Sequence, residues 1–163
     1  MLIIKDSLSH YQELALGSRL KRLSDSLMKE VAKIYNELAL DFDPYHMPVF
    51  KLISEQSELT IGEISNLLNV TQPAVTQYIN ALQRKKMILS KVDKTDKRKK
   101  KVSLSSFGET MLQKLKPIWK VIDAELKLLT HNTENKTLLD HITFIENETK
   151  KESLSRRILL KIN

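Results

Sequence analysis

The stretch Thr71-Gln72-Pro73-Ala74-Val75-Thr76-Gln77-Tyr78 decides how the middle of the chain folds. Its first residue, Thr71, is of a type that favours the N-cap of a helix. Pro73 then falls in the first helical turn, where a missing N–H costs nothing. An apolar residue recurs every three or four positions, at Val75, Ile79 and Leu82. The stretch therefore predicts a helix that buries one face and leaves the other face polar.

A second short helix is predicted immediately before this one. Thr60 and Glu63 fit a capping box, in which each side chain bonds the other residue's backbone N–H. The expected buried face of this helix consists of Ile61, Ile64, Leu67 and Leu68. Asn69 lies between the two helices and tolerates a positive φ, which suits a tight turn. Two short helices joined in this way are the outline of a helix-turn-helix.

A basic β-hairpin is predicted after the two helices. Residues 87–92 and 100–104 have the composition of strands, and the polar residues 93–98 suit the turn between them. From Arg84 to Lys101 there are ten Lys and Arg against two Asp, a net charge of +8, so the rest of this +7 chain sums to −1. A basic patch on a near-neutral body is typical of proteins that bind polyanions, although a solvated charged hairpin has the same composition.

The polar helix face and the cationic hairpin fit double-stranded DNA. In a helix-turn-helix the second helix enters the major groove with its N-terminal residues at the base edges. Gln can pair with adenine, and the Thr methyl group can touch a thymine methyl group. An Arg at the hairpin tip suits a narrow minor groove, and Lys residues suit phosphates, which set affinity without specifying sequence. The candidate DNA-binding residues are Thr71, Gln72, Pro73, Thr76, Gln77, Asn80, Lys94, Lys97, Arg98 and Lys99.

Helices are predicted on both sides of this central part. From about Ser7 to Leu40, apolar residues recur in steps of three and four, which places one stripe along a helix of about thirty residues. A small domain cannot cover so long a stripe, so we expect part of it to pack on a second chain; packing inside one bundle is the alternative. Further helices are expected after Glu109, with a kink or break near Pro117. In the proline-containing connection after residue 41, His46 is expected to be exposed.

The hairpin and the helices resemble the MarR family of bacterial winged helix-turn-helix transcriptional regulators. Asp96-Lys97-Arg98, followed by Val102-Ser103-Leu104-Ser105 and Gly108, is similar to the family's Asp-x-Arg and Leu-Thr/Ser-x-x-Gly pattern. Gln72-Pro73-Ala74-Val75 resembles part of its helix-turn-helix. The order of predicted helices and strands is similar over essentially the whole chain.

The resemblance implies a homodimer in which the first and last helices form the interface. It places Pro73 and Gln77 at base-contacting positions and assigns Arg98 to the minor groove. It also implies that Asp96 orients the hairpin, or wing, by pairing with a basic side chain. Lys86 departs from the family pattern because many members have Gly there. Gln77 stands where several members carry Arg, so no base preference can be carried over.

A narrower resemblance concerns proteins in which a MarR-like half is fused to a C-terminal acetyltransferase. Ala15–Leu20 and Phe42–Phe50 are similar to that regulator half, and the 163 residues contain no acetyltransferase domain. MarR proteins often bind small aromatic ligands between their dimerisation and DNA-binding parts. The residues that would line such a pocket, and that a packed core would explain equally well, are Tyr11, Phe42, Tyr45, Met47 and Phe50.

Composition argues against several other functions. The chain has no cysteine, which excludes disulfides, thiolate metal sites and a thiol switch. No Ser/His/Asp arrangement, Gly-rich phosphate loop or metal-ligand cluster points to an enzyme, so we expect no catalysis, metal or cofactor. No apolar stretch approaches the length of a membrane span, so we expect a cytoplasmic protein without a membrane partner.

Together these patterns predict a mainly α protein with a small β-hairpin wing, that is, a winged helix-turn-helix with long N- and C-terminal dimerisation helices. We expect one domain over residues 1–163, with dimerisation helices at 7–40 and 109–163 and a DNA-binding part at 47–107. The predicted function is a homodimeric, sequence-specific regulator, in the first place a repressor, on a pseudo-palindromic operator, with release by a small ligand. The alternatives are a helical dimeric adaptor between proteins and a nonspecific DNA-binding protein on the same scaffold.

Overall fold

The computed structural model describes residues 6–92, 100–130 and 137–162, and these are mostly helical, which confirms the predicted fold class. The elements are α1 (Ser7–His10), α2 (Leu16–Glu37), α3 (Met47–Gln56), β1 (Leu59–Thr60), α4 (Ile61–Leu68), α5 (Gln72–Arg84), β2 (Ile88–Val92), β3 (Lys100–Leu104), α6 (Ser106–Thr130), α7 (Leu138–Lys151) and α8 (Leu154–Ile162). Short 3-10 turns at Gln12–Ala15 and Pro44–His46 precede α2 and α3. The chain forms two compact units, Met1–Glu109 and Thr110–Asn163.

The core of the first unit lies where α3 packs against α4, α5 and β3. Phe50 and Ile53 of α3 are fully buried, and so are Ile64 of α4 and Val75 and Leu82 of α5, whose burial the sequence predicts. Burial of each such side chain contributes about 1.5–3 kcal/mol to folding. Because the apolar face of α5 is fixed in this core, its polar face must point outward.

The predicted hairpin is present, and a third strand joins it. β2 and β3 pair antiparallel, with Ile88 opposite Leu104 and Val92 opposite Lys100. β1 pairs with the other edge of β3, which places Leu59 opposite Val102. A strand of two residues is too short to show an alternating pattern, and for this reason the sequence did not reveal β1.

The bounds predicted for the N-terminal helix are wrong. The expected helix over 7–40 is interrupted at Gln12, whose φ of 49° is incompatible with an α-helix, so α2 begins only at Leu16. At the other end Ala39 has a φ of 52°, and the Leu40 N–H donates to the Tyr35 carbonyl at 2.8 Å. This left-handed turn ends the helix before Leu40.

The apolar stripe of α2 remains partly exposed. Leu16, Leu20 and Leu23 are 42%, 40% and 46% exposed, whereas Tyr35, which is not part of the stripe, is 1% exposed. Tyr35 packs edge-on against Phe42, with ring centroids 5.8 Å apart. The N-terminal half of α2 therefore has an apolar face that the described part of its own chain leaves open, and its packing on a second chain stays a prediction.

The helices after the hairpin follow the predicted order with two differences. α6 is continuous through Pro117, so of the expected kink or break the break is wrong, and the kink stays a prediction: the turns on both sides persist although proline removes one hydrogen bond. α7 begins at a capping box of Thr137 and Asp140. Glu152 has an extended backbone, with φ −146° and ψ 122°, and separates α7 from α8.

The end of α5 is closed by backbone hydrogen bonds around Lys86. Lys86 has a φ of 57°, and its N–H donates to the Gln83 carbonyl at 2.8 Å. The next N–H, of Met87, donates to the Leu82 carbonyl at 2.9 Å. Helices usually end in this way at a Gly, because the left-handed conformation suits a residue without Cβ. The chain thus turns at Lys86 in a conformation that a Gly would adopt more readily.

The start of α6 is held against the same segment. The Ser105 N–H donates to the Met87 carbonyl at 3.0 Å, and the Ser105 hydroxyl oxygen accepts from the Gly108 N–H at 2.9 Å. Gly108 lies so close that a Cβ added to it would be 1.9 Å from the Met87 oxygen. Because the obstacle is backbone, no side-chain movement could relieve the clash.

We expect Gly108→Ala to lower the free energy of unfolding by about 3 kcal/mol or more, as overpacking against a fixed backbone does. Urea unfolding followed by circular dichroism measures the change. Gly62→Ala is the matched control, because its nearest atom would be 3.8 Å away, an ordinary contact. Equal stability of the two variants would contradict the close approach of Gly108 and Met87.

Candidate nucleic-acid interface

The polar face of α5 is exposed, as the sequence predicts. Gln72, Pro73, Gln77 and Asn80 are exposed along this helix. Thr76 is half-buried, and its hydroxyl donates to the Gln72 carbonyl at 2.9 Å. With its hydroxyl engaged by the helix backbone, Thr76 offers its methyl group to a neighbour. The face thus presents amide side chains and one methyl group at the N-terminal end of the helix.

Local hydrogen bonds fix α4 against α5. The predicted capping box is present: the Glu63 N–H donates to Thr60 Oγ1 at 3.2 Å, and the Thr60 N–H donates to Glu63 Oε2 at 2.7 Å. Asn69 adopts the left-handed conformation, with φ 53°. Thr71 lies at the N-cap of α5 with extended backbone angles, but its side chain makes no capping hydrogen bond. Its hydroxyl thus stays available at the exposed start of the helix.

The buried face of α4 differs from the predicted one. Leu67 is 58% exposed, so its assignment to the core is wrong. Ser65 is buried instead, and its hydroxyl donates to the Val70 carbonyl at 2.6 Å. This bond satisfies a carbonyl in the turn, which a leucine could not do.

The base of the hairpin is strongly cationic. Lys91 lies directly opposite Lys101, and Lys100 is the next residue along β3. Like charges on facing positions repel each other, so an anion near them would be stabilised. The predicted wing residues Lys94, Asp96, Lys97, Arg98 and Lys99 lie outside the described residues.

A groove of about 400 Å³ separates α5 from the hairpin strands. Thr76, Asn80 and Gln83 line its helix side, and Ser90 and Lys100 line its strand side. The groove therefore brings hydrogen-bonding groups of the helix next to a cation of the wing, on one side of the first unit.

The five residues predicted to line a ligand pocket fall in different places. Phe42 and Phe50 are buried with their rings 5.2 Å apart, which is core packing. Tyr11 is 57% exposed, and Met47 is half-buried. Phe42 and Tyr45 share a groove of about 410 Å³, which α2 and the loop after it form.

Ion pairs surround this second groove. Tyr45 donates a hydrogen bond to Asp25 Oδ1 at 3.3 Å, and Lys21 pairs with Asp25 at 2.9 Å. The hydrogen bond from Lys21 lowers the pKa of the Asp25 carboxyl, which favours its ionised form. Lys85, which follows the last residue of α5, pairs with Asp41 at 2.6 Å. The groove wall is thereby connected to the C-terminal end of α5.

His46 is buried, so the expectation that it is exposed is wrong. The residue is 8% exposed, and its ring packs edge-on against Phe42, at 6.5 Å, and against Tyr78 of α5, at 5.6 Å. Its Nδ1 atom has no hydrogen-bond partner among the described residues, and burial lowers the pKa of the imidazole from the ordinary value of 6.5. The four-residue spacing of Phe42, His46 and Phe50 is the sequence signal that could have revealed its inward position.

These elements define a class of protein. Two helices joined through a left-handed turn, an exposed polar face on the second helix and an antiparallel hairpin with a cationic base form a winged helix-turn-helix. None of the helices in the described ranges is long and apolar enough to cross a membrane. The same ranges contain no cluster of three or more His, Asp or Glu that could hold a metal ion.

Comparison with known proteins finds a family model that matches the central third of the chain. A model of the MarR family matches residues 47–100, which run from α3 to the start of β3. This confirms the resemblance: residues 47–100 carry the family's sequence pattern, and the chain has the fold of MarR-type winged-helix proteins. No curated protein sequence matches the chain.

Solved structures of low sequence identity share the fold. They include a mutant MarR from E. coli in complex with operator DNA, with a TM-score of 0.62 and 20% identity over 83% of this chain and 91% of that one. The MepR–DNA complex of S. aureus has a TM-score of 0.60 and 21% identity, covering 91% and 98%. The M. tuberculosis transcriptional regulator MOSR in complex with DNA has a TM-score of 0.65 and 16% identity, covering 83% and 95%.

We expect the free energy of unfolding to fall below about pH 6.5 because of His46. Its pKa is lower in the folded than in the unfolded chain, so the unfolded state takes up the proton first and stability is lost as the pH decreases toward the folded value. One proton accounts for at most about 1.4 kcal/mol per pH unit.

Urea unfolding of the wild type and of His46→Phe, each at pH 7.5 and 5.5, measures this loss. His46→Phe should lose less stability than the wild type on acidification, and the exposed His141→Phe should behave as the wild type does. Parallel losses in all three proteins would show that His46 does not titrate as described.

Proposed function

We propose that the protein is a sequence-specific DNA-binding transcriptional regulator that represses transcription as a homodimer. The observation that supports this most directly is α5, which has a fully buried apolar face and an exposed face of Gln72, Gln77 and Asn80. Amide side chains of this kind pair with adenine in the major groove. The fold is shared with regulators whose structures contain DNA.

In the proposed complex, helix and hairpin have different tasks. α5, as the recognition helix, reads base edges through Gln72, Gln77 and Asn80, with Pro73 and Thr76 in apolar contact. The lysines of the hairpin bind phosphates, and Arg98 enters the minor groove. Phosphate contacts set affinity and salt dependence, whereas the helix face sets the sequence.

Exposed apolar surface supports the homodimer. On α2, Leu16, Leu20 and Leu23 are exposed, and on α8, Ile158 and Leu159 are 46% and 58% exposed. Clusters of large apolar residues at the surface of a soluble protein indicate an interface. Two-fold symmetry would place two recognition helices on half-sites roughly 34–36 Å apart, hence the pseudo-palindromic operator.

The groove beside Phe42 and Tyr45 supports control by a small aromatic ligand. Its volume of about 410 Å³ lies within the usual range for small-molecule sites. An aromatic ring and a phenol line it, and Lys85 connects its wall to the end of the recognition helix. A ligand that fits the groove better in the DNA-free state would release the protein from DNA.

Selection of bound sequences from a random duplex pool tests the proposed function. At moderate salt, where phosphate-only binding is suppressed, we expect enrichment of an inverted repeat. Binding that is salt-sensitive but enriches no motif would instead favour a nonspecific DNA binder, and no binding would favour the adaptor.

Gln77→Ala and Arg98→Ala should affect binding to the selected duplex differently. Loss of a base contact at Gln77 should relax base preference at one position of each half-site by about 1–3 kcal/mol and leave the salt dependence nearly unchanged. Arg98→Ala should weaken binding to all duplexes and reduce the salt slope. Titrations at several salt concentrations measure both effects, and wild-type behaviour of both variants would refute the assigned contacts.

Placing charges on α8 should dissociate the homodimer. The double change Ile158→Asp and Leu159→Asp would bury two carboxylates per chain, and we expect the dimer to weaken by more than about a hundredfold, or 3 kcal/mol. Leu67→Asp is the matched control, because Leu67 is also 58% exposed but lies on α4. Sedimentation equilibrium measures the oligomeric state, and an unchanged dimer in the double variant would exclude this face from the interface.

A further inference from the structure

We propose that His46 makes DNA binding sensitive to acid, because protonation of its buried ring displaces the recognition helix from its packing position on the core. The inference rests on the DNA-binding function proposed above and adds a form of regulation to it. Neither the small-ligand groove nor the dimer interface is required for this effect.

The His46 ring packs against one turn of α5 on the side that faces the core. The ring belongs to the turn Pro44–His46 and touches Tyr78, which directly follows the base-reading candidate Gln77. The ring also contacts Phe42, which in turn packs on Phe50 in the aromatic core. The position of Tyr78 thus depends on the packing of an imidazole ring.

Protonation would create a poorly satisfied cation in this core. Nε2 lies 3.8 Å from Asp43 Oδ2, so the proton of the neutral ring fits Nε2. The second proton must go on Nδ1, which is buried without a hydrogen-bond partner. A buried charged donor without an acceptor is costly, and the cost is relieved if the ring moves toward water.

The neighbouring charges do not cancel this cost. Burial disfavours the charged ring most strongly, Asp43 opposes this effect, and Lys85 adds to it. Lys85 directly follows α5, and Asp43 directly precedes the turn that contains His46. Lys85 also pairs with Asp41 at 2.6 Å. Tyr78 is the remaining titratable residue in contact with the ring.

A small displacement of Tyr78 is enough to weaken base reading. Hydrogen bonds to bases require donor–acceptor distances of about 2.7–3.2 Å, so a shift of about 1 Å in one helical turn removes them. Gln77 and Asn80 lie beside Tyr78 on that part of the helix. The phosphate contacts of the hairpin do not depend on His46, so acid should reduce sequence-specific binding more than nonspecific binding.

The test compares wild type, His46→Phe and His46→Gln on the duplex selected at pH 8, with affinity measured from pH 8 to pH 5.5. Both variants remove the titrating group, and His46→Gln keeps a polar side chain in case Phe does not pack. We expect wild-type affinity to fall as the pH decreases through the lowered pKa of His46 in the folded protein, by up to about tenfold per pH unit for each His46 that takes up a proton. The exposed His141→Gln serves as the control and should follow the wild type.

The outcomes separate this inference from the proposed function. Wild-type binding that weakens with acid while both His46 variants stay constant supports the inference, provided that circular dichroism shows a folded protein throughout. Specific binding at pH 8 that is unchanged at pH 5.5, or that falls equally in all four proteins, overturns the inference and leaves the DNA-binding function intact. Absence of specific binding at pH 8 overturns both.

Discussion

The buried backbone of Met87 joins three elements through two hydrogen bonds and one close contact. Its N–H closes the end of α5 on Leu82, its carbonyl accepts from Ser105 at the start of α6, and Gly108 leaves no room beside that oxygen. β2 begins at the next residue. The recognition helix, the hairpin and α6 meet at this point. The helix and the base of the wing are therefore held in one relative orientation, as docking on a DNA groove and the adjacent phosphate backbone would require.

The central part of this fold could be predicted from sequence because its signals are local. A capping box, Asn69 at a left-handed turn and apolar residues at helical spacing depend only on near neighbours, and all three are present in the structure. The features that were missed depend on distant parts of the chain. β1 exists only because β3 pairs with it, and the burial of His46 depends in part on Tyr78, which lies 32 residues further along the chain. The interruption at Gln12 has no proline or glycine to mark it.

The candidate site was predictable to a similar extent. Periodicity separated the inner and outer faces of α5, so the exposed amides could be named in advance. The presence of aromatic residues in the sequence could not distinguish core positions from positions that line a pocket. Phe42 and Phe50 are buried in the core, whereas Tyr45 lies at the surface. Whether an aromatic side chain points into the core or toward solvent depends on tertiary packing, which a single sequence does not reveal. The wing tip, 93–99, lies outside the described residues and remains a prediction.

The edges of the small sheet have a consequence for solubility. A protruding strand with unpaired N–H and C=O groups is a template on which further chains can add, and continued addition produces fibres. Here β1 offers an edge of only two residues, and β2 carries Lys91 between the exposed Leu89 and Val92. A charge in that position interrupts an apolar strand and opposes its stacking on a copy of itself. The shortness of β1 and the charge of Lys91 on β2 therefore both oppose edge-to-edge pairing of the sheet with other chains.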